Sequence, residues 1–142
     1  MKVFRIVLIL LFVALLLAGC HSQVRVPYSD DAVLVYKLRD MDVQVQLTEE
    51  EAKMVAELFN SKSAERWFDY DTWELRYMEY GCPYDDNVYI DMGGTVCYIG
   101  YDGCGSVRIG EGGNVPHITL SEEEEQMICD LFRKYTGLEH PY

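Results

Sequence analysis

Two stretches of this chain, VQVQLTEEEAKMVAELF and PHITLSEEEEQMICDLF, can be superposed without a gap, and they restrict the fold more than anything else in it. From Val45 to Phe59 against Ile118 to Phe132, seven of fifteen positions are identical. Val45 with Ile118, Thr48 with Ser121, Val55 with Ile128 and Glu57 with Asp130 are conservative. Each copy sets a hydroxyl three residues before a glutamate, Thr48 with Glu51 and Ser121 with Glu124, which is the reciprocal capping box that opens a helix. The further acids Glu49, Glu50, Glu122 and Glu123 fall in the first turn, where the helix dipole favours negative charge. Met54, Val55, Leu58 and Phe59 recur at helical spacing, as do Met127, Ile128, Leu131, Phe132 and Tyr135, so each helix carries one apolar stripe. Short alternating strands, Val43-Val45-Leu47 and Ile118-Leu120, run directly into the caps.

The other alternating runs, Val33 to Leu38, Val88 to Met92, Thr95 to Tyr101 and Val107 to Ile109, read as strands. Gly93-Gly94 and Asp102-Gly103 suit tight hairpins, Gly110 to Asn114 is a looser connection, and Gly137 ends the last helix. The expectation is an α+β fold: one antiparallel sheet with two helices packed on one face, built from two similar strand-helix halves.

At the N-terminus, Lys2 and Arg5 precede thirteen uncharged apolar residues, Ile6 to Ala18. That is the length of a signal-peptide core and short of the roughly 20 residues that cross a bilayer. The run ends in Leu17-Ala18-Gly19-Cys20, which resembles the lipobox of bacterial lipoproteins. The resemblance implies transfer of diacylglycerol to the Cys20 sulfur, cleavage between Gly19 and Cys20, and retention on the outer side of the cell membrane by two or three acyl chains such as palmitate. Each buried CH₂ contributes about 0.8 kcal/mol, so such chains hold a domain persistently. The expected organisation is a signal peptide over 1–19, a lipidated N-terminus and linker over 20–32, and a single globular domain over 33–142.

Removing residues 1–19 takes away Lys2 and Arg5 and leaves 123 residues with 10 basic and 24 acidic side chains, a net charge of −14. So acidic a domain is not expected to bind nucleic acid. Four cysteines other than Cys20 remain, Cys82, Cys97, Cys104 and Cys129, an even number that fits disulfides outside the cytosol. Cys82 and Cys104 are the preferred pair because each sits in a turn-like setting, GCPYDD and YDGCG; Cys97 and Cys129 are then a second bridge or buried thiols. The segment from Trp67 to Gly105, with C-P-x-D at Cys82 to Asp85 and Y-D-G-C-G from Tyr101, resembles small lipoprotein or secreted domains of anaerobic Gram-positive bacteria, a likeness that implies the same bridge and no activity.

Chemistry-bearing residues concentrate between Trp67 and Tyr89, where eight of 23 are aromatic. Trp67, Tyr70, Trp73, Tyr77, Tyr80 and Tyr84 are candidates for binding a protein, peptide or glycan, since such rings join a wide apolar face to a polar tip. Spacing leaves open whether Tyr70, Trp73, Tyr77 and Tyr80 line a helix or Trp73, Leu75 and Tyr77 alternate on a strand. No metal or cofactor is expected, because D-Y-D-T-W-E lacks the glycine and distal glutamate of a calcium loop. No enzyme is expected: there is no G-x-S-x-G, and the only histidines are His21, His117 and His140. The function expected is a membrane-anchored extracytoplasmic lipoprotein with an acidic binding or accessory domain. The alternative is a protein inhibitor of a cationic envelope enzyme of lysozyme type, steered by charge.

Overall fold

The structure is a computed structural model that describes residue 7, residues 21–100 and residues 102–139. The lipobox residues Leu17 to Cys20, and with them the lipidation site, lie outside the described residues, as does Tyr101. The chain runs β1 (His21–Gln23), β2 (Val33–Tyr36), β3 (Val43–Gln46), α1 (Glu49–Asn60), β4 (Ser63–Asp69), β5 (Glu74–Tyr77), β6 (Tyr84–Asp91), β7 (Val96–Gly100), β8 (Ser106–Ile109), β9 (His117–Thr119) and α2 (Glu122–Thr136). The fold is α+β, but with two antiparallel sheets where one was expected: a six-stranded sheet in the order β3-β2-β6-β7-β8-β9 and a three-stranded sheet in the order β1-β4-β5. No described helix is long and apolar enough to cross a membrane.

Register explains the core of the larger sheet. Cross-strand partners form one continuous row, Val45, Leu34, Ile90, Cys97 and Ile109, beside a second, Val43, Tyr36 and Val88. Ile99, Val107 and Ile118 extend it. Because side chains alternate along a strand, these residues share one face. Val55 and Phe59 of α1 and Ile128, Leu131 and Phe132 of α2 belong to the same buried cluster, and Phe132 meets Tyr36 edge to face at 6.4 Å between ring centroids.

Both capping boxes form. Thr48 accepts from the Glu51 amide and Ser121 from the Glu124 amide, while each glutamate carboxylate accepts from its own cap residue's backbone N–H, at 2.9 Å and 2.7 Å. The glutamates also tie the helices together. Glu51 accepts from Lys134 Nζ at 2.6 Å and from the Tyr135 hydroxyl at 2.7 Å, both near the end of α2. Glu124 pairs with Lys62, just beyond the end of α1. The N-terminus of each helix is thus held by a cation at the C-terminal end of the other, as antiparallel dipoles favour. Gly137, at φ 73° in the left-handed region, ends α2 as the sequence suggested.

Residues 21–32 are part of the fold and not the linker expected over 20–32. β1 pairs with β4, and Val24, Val26 and Ala32 are buried in the core. The Asn60 side chain satisfies Val26 as a strand would, accepting its N–H at 2.7 Å and donating to its carbonyl at 2.8 Å. Burial of these apolar side chains is what makes the segment fold.

The region whose spacing left helix and strand open is strand: β4 and β5 form a hairpin. Its base is held at the outer edge of β5 by Asn114, from the β8–β9 connection, which accepts from the Tyr77 amide at 2.8 Å and donates to the Leu75 carbonyl at 3.5 Å.

Cys82 and Cys104 stand at disulfide distance, with Cα atoms 6.7 Å apart and a sequence separation of 22. Cys97 and Cys129 are buried thiols in β7 and α2, so no second bridge joins them.

Two outcomes follow. Alkylation of the denatured chain without reductant is expected to label Cys97 and Cys129 and to spare Cys82 and Cys104, read by peptide mass; labelling of all four would refute the bridge. Partial burial raises the Glu51 carboxyl, but Lys134, Tyr135 and Thr48 outweigh it and bring it down to about 2. A depressed carboxyl stabilises the fold above its unfolded value near 4.5, and that stabilisation is lost as pH falls toward 2. Thermal melts between pH 6 and pH 2 are therefore expected to fall less steeply for Glu51→Gln than for the native chain.

Candidate functional site

The six aromatic candidates do not form one surface. Trp67, Tyr70 and Trp73 lie on the β4–β5 hairpin, exposed at 44%, 76% and 77%. Tyr77 sits at its base, packed against the core with the Arg66 guanidinium 5.2 Å from its ring. Tyr80 lies beyond the end of β5, exposed at 38%, with its hydroxyl toward Thr119 of the larger sheet. Tyr84 belongs to β6, in the other sheet altogether.

The hairpin tip is built around Asp69. Burial alone would raise this carboxyl, but it accepts from the Asp71 amide at 3.0 Å and from Thr72, and Arg76 stands 3.2 Å away, so it is held below the usual carboxylate range. The Asp69 carboxylate, first residue of D-Y-D-T-W-E, therefore shapes a turn. Asp91 does the same for Gly94 and Asp102 for Cys104, each accepting a backbone N–H. Cys82, Asp102 and Cys104 do cluster, but with the sulfurs at disulfide distance only the Asp102 carboxylate is left to offer a metal.

Phe68 holds the tip rings. Tyr70 and Trp73 both meet it edge to face, at 5.1 Å and 6.0 Å between centroids. Phe68 was not among the binding candidates; strand alternation places it on the face of Ala64 and Leu75, and only the strand assignment makes that visible. Trp73 has a positive φ, in the left-handed region where glycine is the favoured residue. A residue with a side chain pays roughly 1–2 kcal/mol for that conformation. A tryptophan that is strained in the backbone and mostly in water gains little for folding.

The second cluster lies on the face of the larger sheet opposite the core. Val35, Tyr89, Tyr98, Arg108 and His117 stand in one cross-strand row. The Arg108 guanidinium stacks 4.2 Å from the centroid of Tyr98 and 5.3 Å from that of Tyr84, and pairs with Asp86 at 3.4 Å. The Tyr84 hydroxyl bonds to Ser106 and, at 3.1 Å, to His117 Nδ1. Burial and the Arg108 charge lower the histidine, against the opposing pull of Glu79, and burial raises Tyr84, so both are neutral at neutral pH. A cleft of about 220 Å³ opens here, with Glu79, Gly112 and Gly113 on its rim. Sequence reasoning missed Tyr98, Arg108 and Ser106. The signal that marks Arg108 is a lone cation between Val107 and Ile109, both core residues.

Cys97 and His117 cannot act as a catalytic pair. Cys97 is in the core row and His117 in the opposite one, and burial pushes the Cys97 thiol up to about 12, with Asp91 adding to it. Comparison of the chain with models of protein families, with curated proteins and with solved structures gives no match.

Proposed function

We propose that the chain is a lipoprotein held on the outer face of the cell membrane through acylated Cys20, and that its acidic α+β domain is a non-enzymatic binding or accessory module that makes contact through the β4–β5 hairpin. The address rests on Leu17-Ala18-Gly19-Cys20 at the end of an uncharged apolar run. The single observation that carries the contact surface is Trp73: 77% exposed, in a left-handed backbone conformation, resting on Phe68 and not on the core.

A core residue and a contact residue respond differently to substitution. Trp73→Gly relieves about 1–2 kcal/mol of backbone strain and gives up an edge-to-face contact worth about 0.5–1.5 kcal/mol. These nearly cancel, so urea denaturation is expected to give a stability within about 1 kcal/mol of the native chain. A loss of several kcal/mol would return the ring to the core and remove the contact surface. The address is tested by intact mass of chain recovered from membranes of an expressing bacterium: the 123-residue product plus acyl groups is expected, and Cys20→Ser abolishes it.

A further inference from the structure

β1 lies at the edge of the three-stranded sheet, and its register with β4 sets His21 opposite Glu65, Ser22 opposite Ala64 and Gln23 opposite Ser63. The two strands are antiparallel, so passing from Gln23 back to His21 means travelling along β4 toward Phe68 and the hairpin tip. Cys20 is the residue that precedes His21 in the sequence. From Glu65 to Asp69 the strand rises about 13 Å, at roughly 3.3 Å per residue. Traced back to its first residue, β1 therefore points toward the end of the molecule that bears the exposed rings.

There is also no slack between them. Val24 and Val26 are buried, and the Val24 amide donates to the Lys62 carbonyl at 3.3 Å, so the chain is fixed within a few residues of Cys20. A domain tethered by a flexible linker samples all orientations over its anchor. This one is tied at a strand end and has a narrow choice.

The hairpin's chemistry matches a bilayer interface. Tryptophan and tyrosine concentrate at headgroup level, where an amphipathic ring is partly in water and partly out of it. Trp67, Tyr70 and Trp73 are all exposed here, with Leu75 beside them at 44%. The register puts Trp67 and Phe68 on opposite faces of the ribbon, so the tip can enter edge-on without a broad apolar face to cover. Charge does not drive the contact: against Arg66 and Arg76 stand Glu65, Asp69, Asp71 and Glu74, and Arg76 is already paired with Asp69.

We infer that the β4–β5 hairpin is a second, non-covalent membrane contact, in which the rings of Trp67, Tyr70 and Trp73 seat in the zwitterionic headgroup layer of the bilayer that holds the acyl chains of Cys20. A ribbon lying oblique to the surface brings both the strand end beside Cys20 and the hairpin tip to that layer. The inference rests on the lipoprotein reading and names the partner of its contact surface.

The chain has two tryptophans, both on this hairpin, so emission excited selectively from tryptophan reports on the hairpin alone. The acylated 123-residue chain, purified from membranes and verified by mass, would be reconstituted in phosphatidylcholine vesicles with brominated acyl chains, and in the same vesicles without bromine. Rings seated about 5–10 Å into the interface are expected to lose roughly two-fold or more of their emission to bromine and to become shielded from aqueous iodide. Trp67→Phe, which keeps Trp73 as sole reporter, is expected to show the same quenching. Acylated chain whose emission ignores bromine and yields to iodide overturns the membrane contact, leaves the anchor standing, and returns the hairpin to a protein, peptide or glycan partner. Chain recovered without acyl groups overturns anchor and contact together.

Discussion

The two capping-box glutamates each make two connections, and the helical layer depends on that double use. Glu51 and Glu124 open their own helices and at the same time bind Lys134 with Tyr135, and Lys62, at the far end of the other helix. A hydrogen bond to a charged group contributes about 1.5–3 kcal/mol when well shielded, and less at a surface. Position matters more than sum here. The cross-ties join the ends of α1 and α2, whose Val55, Phe59, Ile128 and Phe132 belong to the same buried cluster as the apolar row of the larger sheet. A slip of one turn, about 5.4 Å, would carry these side chains off that row.

What was legible in the sequence is what depends on near neighbours. A hydroxyl and a glutamate three residues apart specify a helix start without help from the rest of the chain, and both starts are where the sequence put them, as is the left-handed stop at Gly137. The two sheets were not separable, because which strands pair is decided by contacts far apart in sequence. Residues 21–32 looked like a linker for the same reason: Val24 and Val26 are too few to show a period, and the groups that receive them, Asn60 and Lys62, lie far along the chain, at the end of α1 and just beyond it. Around Trp73 the spacing satisfied a helix and a strand equally. The choice went to strand because β5 has β4 on one side and Asn114 on the other to satisfy its backbone.

The six aromatic candidates divided along the same line. Composition collected them into one segment, but a turn of chain after Met78 sends Tyr84 into the larger sheet, where it joins Ser106, Arg108 and His117 from strands that sequence order keeps apart. Hydrogen bonds satisfy most of the polar groups in that cluster, and the Arg108 guanidinium covers two of its rings. On the hairpin the reverse holds: Tyr70 and Trp73 touch Phe68 and otherwise meet water. The contrast between satisfied and unsatisfied aromatic surface, more than aromatic density, separates the packed rings from the exposed ones in this chain.

Asn114 has a bearing on solubility. A strand at the margin of a sheet offers unpaired amides and carbonyls to any passing chain, and copies of one protein can extend each other's sheets through such margins. On β5 the Tyr77 amide and the Leu75 carbonyl are already taken by a single side-chain amide, which mimics one peptide unit of a neighbouring strand and cannot propagate further. Asn114 thus closes the margin of β5 beside the exposed Phe68, Tyr70 and Trp73, and a substitution there would free those two backbone groups for another chain.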